Sequence, residues 1–310
     1  MRFPIIKNDK IWLSVSAAIV LVSLTLLFTL GLNLGLDFTG GTSMALRFQE
    51  QEPQAVEVKT VLLEVQDQLN QEKTAEEKIK LGEPLIAPGE EKGSFNIKLK
   101  DVDEATHSAL LQGLEQKFGS LEETKFTSVG PVAGKSLKNR AVMAIVVALV
   151  MMIAYLAYEF RNVPGKASSW KFGVIAIIAL AHDLLLVTGI FVLLGRFWGV
   201  EADMFFVTAL LTILGYSVND TIVIFDRIRE KMVYQSKGES LAEIAESALW
   251  STMVRSINTS LTVFLVLLSL FFLGSESVRW FAFALLCGTV TGTYSSIFIA
   301  SPLLVRWNKK

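Results

Sequence analysis

Six long apolar segments constrain the fold of this 310-residue chain more than any other feature of its sequence. A membrane-crossing helix needs about 20 mostly apolar residues, because the hydrocarbon core of a bilayer is about 30 Å thick. Hydrophobic residues make up 52% of the chain, a high share for a water-soluble protein. The sequence therefore predicts an α-helical polytopic membrane protein with spans at roughly 11–32, 139–158, 172–195, 203–225, 257–274 and 280–303.

The basic residues predict how these spans are oriented. The first span follows basic residues, as a signal peptide would, but it is too long for such a segment and lacks a small-residue cleavage pattern, so we interpret it as uncleaved. With the N-terminus in the cytoplasm, lysine and arginine concentrate in the four cytoplasmic pieces, and the two short outside loops hold only Arg196 and Arg279. We expect a multi-pass protein of the cell inner membrane with both termini cytoplasmic.

The long segment 33–138, between the first two spans, predicts a domain outside the cytoplasm. Apolar residues recur at helical spacing, as at Val58, Leu62 and Val65. The pattern predicts strands at 42–48, 79–86, 94–100 and 123–130, with helices at 54–70 and 103–118. The order βαββαβ favours an α+β ferredoxin-like sandwich. Its residues form no recognisable catalytic set, so we interpret it as a binding or structural domain.

The remaining parts are a cytoplasmic N-terminus with the first span, at 1–32, and a five-helix membrane domain at 139–310. Between its spans, Ser240 and Glu243 form a capping-box pattern that opens a predicted cytoplasmic helix at 240–255. Its apolar face is weak, so we expect it to lie at the cytoplasmic membrane surface.

Composition excludes several classes of function. The single cysteine, Cys287, cannot form an intrachain disulfide, and the two histidines, His107 and His182, share no metal-ligand spacing. No nucleophile–base set or phosphate-binding loop appears, so we expect no enzyme and no cofactor. A net charge of −1 gives no reason to expect a nucleic-acid partner.

Ionisable residues inside the spans are the informative chemistry of this sequence. Such residues cost about 2.5–3.5 kcal/mol at a helix centre and usually serve function. His182 and Asp183 lie near the middle of the third span, and Asp220 lies about one turn inside the cytoplasmic end of the fourth. Asn219 precedes Asp220 and adds a second polar group at that depth.

A polar stripe enters the fifth span from the same side. Arg255, Asn258 and Thr259 follow helical spacing, so they share one face of an otherwise apolar helix. Asp220 and Arg255 thus have similar depth and opposite charge, and protonation of the aspartate would release the arginine. The alternatives stay open: Arg255 also fits an interfacial anchor, and His182 with Asp183 also fits a buried structural pair.

Several stretches resemble one known family, SecF, whose members are accessory subunits of the bacterial Sec protein-export machinery. They are 35–42 (GLDFTGGT), 129–134 (VGPVAG), 182–189 (HDLLLVTG), 215–230 (GYSVNDTIVIFDRIRE) and 255–260 (RSINTS). The paired family, SecD, is similar in plan, but the short outside domain and Phe38 favour SecF. Where the family pattern has a threonine after the arginine, this chain has Ser256 and Ile257.

The resemblance implies a member of the resistance-nodulation-division superfamily that works in a complex with SecD and associates with the SecYEG channel. It implies that the proton motive force drives late export of a translocating polypeptide, with protons as the coupling ion. In this reading Asp220 and Arg255 take part in proton passage, with His182 and Asp183 as further candidates. The motif residues Asp37, Gly40 and Gly41 form either a hinge or a rigid turn at the exit of the first span.

Two other functions compete with this interpretation. A proton-coupled secondary exporter of a small molecule or lipid would use similar charges, although it would usually need a substrate cavity and a duplicated chain. A purely structural scaffold would leave Asp220 without a purpose. A transported small molecule would identify the exporter, and sensitivity of export to Asp220→Asn separates the export subunit from the scaffold.

Overall fold

A computed structural model describes residues 4–71, 78–89, 91–161, 169–234 and 238–308. The helices are α1 (Asp9–Thr29), α2 (Leu36–Thr39), α3 (Ala55–Leu69), α4 (Glu104–Phe118), α5 (Pro131–Glu159), α6 (Ser169–Trp198), α7 (Met204–Tyr234), α8 (Leu241–Leu273), α9 (Glu276–Ser295) and α10 (Ser301–Asn308). The strands are β1 (Gly41–Phe48), β2 (Leu85–Pro88), β3 (Ser94–Leu99) and β4 (Leu121–Val129). The chain forms two units, a helical one (Met1–Asn33 and Ala141–Lys310) and a mixed one (Leu34–Arg140).

Six helical segments of the described chain are long and apolar enough to cross a membrane, which confirms the predicted number of spans. The sixth, Val278–Asn308, is not a regular helix. It consists of α9, a π-helical turn at Ser296–Ala300, and α10. A π turn inserts an extra residue into the helix, which rotates the side chains that follow it.

The predicted separate helix at 240–255 and the fifth span form one continuous helix, so this boundary is corrected. Ser240 caps α8, and the helix runs for 33 residues, from Leu241 to Leu273. The segment between contains no glycine or proline, so the change from polar to apolar residues near Arg255 does not interrupt the backbone. At 1.5 Å per residue, α8 is about 50 Å long, which exceeds the hydrocarbon thickness.

The polar half of α8 packs on neighbouring segments of the helical unit. The Glu246 carboxylate accepts hydrogen bonds from the backbone N–H groups of Ile5 (3.0 Å) and Ile6 (2.8 Å). Lys231, near the end of α7, is buried and donates to the Ser247 hydroxyl at 2.5 Å. These contacts hold the N-terminal segment and α7 against α8.

Small residues on α9 let it approach α7 closely. A Cβ added to Gly288 would lie 2.3 Å from the Ile213 side chain, and one added to Gly292 would lie 3.1 Å from the Ser217 Cα. Glycines four positions apart in a membrane span are typical of such close helix contact. The arrangement positions polar residues of α7 and α9 next to one another.

The mixed unit has the element order βαββαβ with a sheet order of β2-β3-β1-β4. All three neighbouring strand pairs are antiparallel. Its core joins alternate residues of β1, Met44 and Leu46, with apolar residues of the two longer helices, such as Leu62 and Leu110. Every one of these four side chains is completely buried.

The predicted strand at 79–86 is wrong in position, because β2 begins only at Leu85. Two side chains bind the backbone that precedes β2. Asn70, the C-cap of α3, exchanges two hydrogen bonds of 2.8 Å with the backbone of Ile79, and Gln66 of α3 accepts one from the Leu81 N–H at 2.8 Å. Gly82 then turns the chain with a φ of +75°. The apolar Leu81 is therefore a core residue outside the sheet.

Candidate functional site

A closed polar cluster surrounds Asp183 in the middle of the helical unit. Its side chain is completely buried, and its Oδ2 accepts hydrogen bonds from the hydroxyls of Ser217 (2.5 Å) and Ser295 (2.7 Å). Its Oδ1 lies 2.9 Å from the Nδ1 atom of His182. When Asp183 is ionised, its carboxylate only accepts hydrogen bonds, so His182 donates to it through Nδ1. Three donors from three helices thus stabilise one carboxylate.

His182 leaves one polar atom unused in this cluster. The side chain is 5% exposed, and its Nε2 atom makes no hydrogen bond within the described part of the chain. The ring lies beside that of Tyr294, with centroids 6.2 Å apart. The Tyr294 hydroxyl in turn hydrogen-bonds the hydroxyl of Ser16 on α1 at 3.0 Å.

Asp220 has a different environment, although it is also buried at 6% exposure. Its Oδ2 accepts one long hydrogen bond, 3.5 Å from the Thr293 hydroxyl of α9. Ser256 and Ser260 of α8 lie nearby, but the Ser256 hydroxyl makes no hydrogen bond of ordinary length to any described residue. Asp220 thus has a longer hydrogen bond than any that Asp183 makes.

Arg255 does not form an ion pair with Asp220. Both residues are described, and no nitrogen–oxygen distance between them is within 4.0 Å. Arg255 is close enough to act on the carboxylate through space, but its side chain is exposed on this chain. The sequence left open whether these two residues touch; among the described residues they do not, although Arg255 acts on the Asp220 carboxylate through space.

The polar stripe of α8 faces away from the rest of the chain. Asn258 and Thr259 are exposed together with Arg255, and so is Asn219 on the neighbouring helix α7. Ser256 and Ser260, on another face of the same turns of α8, are buried instead. Asp220 thus lies just inside an outward polar surface made of Asn219, Arg255, Asn258 and Thr259, which we call the α7–α8 polar face.

Sequence reasoning missed the hydroxyl residues that connect these charges. Ser260 and Thr293 lie 2.5 Å apart between α8 and α9, and the Thr221 and Ser296 hydroxyls lie 2.8 Å apart between α7 and the π turn. The sequence indicated these residues only through the recurrence of serine and threonine in otherwise apolar spans. That signal does not reveal which helix each hydroxyl faces.

The glycine motif of the mixed unit forms a tight backbone contact. Gly40 and Gly41 have φ values of +71° and +129°, which favour glycine. A Cβ added to Gly40 would lie 3.0 Å from the Pro131 Cα, and one added to Gly134 would lie 2.9 Å from the Gly40 N. Asp37 lies in α2, directly before this contact. Gly40 and Gly134 therefore allow the backbone before β1 to approach the beginning of α5 closely.

Comparison with known proteins identifies two family models in the chain. The model described as "Protein export membrane protein SecD/SecF, C-terminal" matches residues 109–310, and the model of the SecD/SecF GG motif matches residues 25–52. The first includes Asp183, Asp220 and Arg255, and the second includes Gly40 and Gly41. Both groups of site residues therefore lie inside matched regions.

Individual relatives agree with the family models. The protein translocase subunit SecF of Thermobaculum terrenum is 42% identical over 95% of this chain and 90% of its own length. The SecF subunit of Synechocystis sp. is 35% identical over 100% of this chain and 95% of its own length. The crystal structure of SecDF, described as a translocon-associated membrane protein, from Thermus thermophilus is 32% identical with a TM-score of 0.80. That match covers all of this chain but 39% of the longer SecDF chain.

Proposed function

Because the chain belongs to the SecF family of protein translocase subunits, we propose that it uses the proton motive force, together with SecD, to assist late translocation of polypeptides. The observation that carries the proton role is Asp220, a buried carboxylate in a membrane span with one long hydrogen bond. A charge in such a place is costly, and ionisable residues inside membrane spans usually serve a function. Asp220 is the proton carrier in this proposal.

The α7–α8 polar face supports the proposal of a membrane partner. Asn219, Arg255, Asn258 and Thr259 would expose polar groups to lipid if nothing covered them. A second bundle of spans, supplied by SecD, would cover this face and enclose Asp220 between the two subunits. Arg255 would then approach the carboxylate when Asp220 is ionised and withdraw when it is protonated.

His182 and Asp183 have a supporting role in this proposal. The Asp183 carboxylate is stabilised by three donors and suits a permanent charge, which would stabilise an imidazolium at His182. The free Nε2 atom of His182 is the position where a second proton would bind. Protons are the only coupling ion that the proposal needs.

The remaining parts of the proposal concern placement and partners. The mixed unit is a ferredoxin-like domain outside the cytoplasm, supported by its βαββαβ order and antiparallel sheet. It engages the emerging polypeptide, while the helical unit associates with the SecYEG channel in the inner membrane. Both termini are cytoplasmic, as the distribution of basic residues predicts.

The test is Asp220→Asn in the assembled complex, with late export of a model secreted protein measured with and without a proton gradient. Asparagine keeps the size of the side chain but cannot exchange the proton. We expect normal insertion, normal gradient-independent export and loss of the gradient-dependent part. The matched control is Asp226→Asn, because Asp226 is an exposed aspartate of the same helix that pairs with Arg229 at 3.7 Å.

A full gradient response in Asp220→Asn would overturn the assignment of Asp220. Equal losses of gradient-dependent export in Asp220→Asn and Asp226→Asn would show a general effect of charge removal from α7. Gradient-driven export of a small molecule by the assembled complex, without polypeptide export, would support the secondary exporter instead.

A further inference from the structure

A groove lies between the end of α5 and the beginning of α6, away from the buried charges. It has a volume of about 330 Å³. One end of it is polar and the other is apolar. The lining residues that matter here are Arg161, Ser169 and Trp170 at the polar end and Ile153, Gly173 and Ile177 at the apolar end.

The polar end is suited to an anion. The Arg161 guanidinium lies 3.9 Å from the centroid of the Tyr158 ring, and this guanidinium has no ion pair or hydrogen bond with any described residue. α6 begins at Ser169, so the positive end of a 30-residue helix faces the same part of the groove. Trp170 is 56% exposed, and exposed tryptophans are typical of the membrane interface.

The apolar end is kept open by a glycine. A Cβ added to Gly173 would meet nothing within 4 Å, so no close packing requires glycine at this position. Glycine inside a helix is about 0.5–1 kcal/mol less favourable than alanine. The floor of the groove is closely packed, because Leu156 is completely buried and the ring centroids of Phe160 and Phe172 lie 5.5 Å apart. A side chain at 173 would fill the space that the glycine leaves.

We propose that this groove binds one anionic phospholipid, with its phosphate at Arg161 and the beginning of α6 and one acyl chain along Gly173 and Ile177. The Arg161 charge, which no described residue pairs with, complements an anionic headgroup, and the apolar end matches a hydrocarbon chain. A partner helix is about 10 Å across and would not fit a groove of this volume. The assignment does not depend on the proposed proton route.

The test is binding of defined lipids to the purified full chain in neutral detergent, followed by native mass spectrometry. Phosphatidylglycerol and phosphatidylcholine with the same chains are titrated separately, and inorganic phosphate is added alone in a third series. The variants are Arg161→Gln, which removes the charge, and Gly173→Ile, which fills the chain site. The controls are Ala154→Ile, an exposed position of α5 outside the groove, and Arg306→Gln, a half-exposed arginine 3.6 Å from Asp9.

We expect one saturable phosphatidylglycerol site. Arg161→Gln should weaken it about fivefold and reduce the preference over phosphatidylcholine. Gly173→Ile should weaken binding of both lipids, and both controls should bind like the unmodified chain. If Gly173→Ile fails to fold, Gly173→Ala takes its place, and we expect this variant to bind both lipids more weakly than the unmodified chain does.

Three results would overturn the proposal. One is lipid binding that does not saturate, which indicates ordinary solvation of the spans. Another is equal binding by Arg161→Gln and Arg306→Gln, which indicates general surface charge. The third is a loss of lipid binding when inorganic phosphate alone is added, together with unchanged lipid binding by Gly173→Ile. This result indicates an anion site without a lipid chain.

Discussion

Removing the Ser295 hydroxyl tests whether Asp183 is ionised in the folded protein. Ser295 donates to Asp183 Oδ2 at 2.7 Å, and both side chains are completely buried. A hydrogen bond to a charged group contributes about 1.5–3 kcal/mol, whereas hydrogen bonds between spans average about 0.6 kcal/mol. Because three donors converge on this carboxylate, we expect Ser295→Ala to lower the free energy of unfolding by about 2 kcal/mol, within the range for charged groups.

The assay is equilibrium unfolding of the full chain in mixed micelles, with a double-mutant cycle. In an Asp183→Asn background, the same serine substitution should cost only about 0.6 kcal/mol, because the acceptor is then neutral. Ser269→Ala is the control, since the Ser269 hydroxyl is exposed and bonds the Val266 carbonyl of its own helix at 2.7 Å. A cost near 0.6 kcal/mol in both backgrounds would refute the argument and indicate a protonated Asp183.

Two further predictions concern the start of β1 and the N-terminal segment that Glu246 holds. Gly41→Ala should destabilise β1 by about 1–3 kcal/mol, because its φ is +129° and the new Cβ would lie 2.7 Å from the Leu99 carbonyl oxygen; faster amide hydrogen exchange in β1 checks it. Gly82→Ala, which meets only the flexible Lys100 side chain, should cost less. Glu246→Gln keeps one acceptor oxygen and loses the other, so the N-terminal amides that it holds should exchange roughly tenfold faster, with unchanged exchange in α9.

The number of spans was predictable because it depends on length and hydropathy, which are local properties of the sequence. The continuity of α8 was not predicted, because the change from polar to apolar residues near Arg255 marks the membrane boundary and not a backbone boundary. The absence of a helix breaker between Ser240 and Gly274 was the better signal. In the mixed unit, β2 was misplaced because Asn70 and Gln66 bind the backbone of residues that otherwise resemble a strand.

The buried aspartates were predictable as unusual residues, but their partners were not. Ser295 reaches Asp183 across 112 positions of sequence, and no periodicity indicates such a contact. For Arg255 the sequence showed the stripe and its depth. It did not show that the stripe faces outward, because an isolated amphipathic helix gives no information about which side meets its own chain.

The two buried carboxylates differ in how easily a proton can change their surroundings. Asp183 is held from α6, α7 and α9, so adding a proton would leave the serine donors competing for one fewer acceptor site. Asp220 has one contact of 3.5 Å with a threonine hydroxyl, which can rotate to donate or accept. Protonation of Asp220 therefore changes only contacts with hydroxyl groups inside this chain, and the nearby charged group that it affects is Arg255 at the outward α7–α8 polar face. A proton bound at Asp220 would accordingly be felt by whatever covers that face, which is the requirement for coupling proton passage to movement between two subunits.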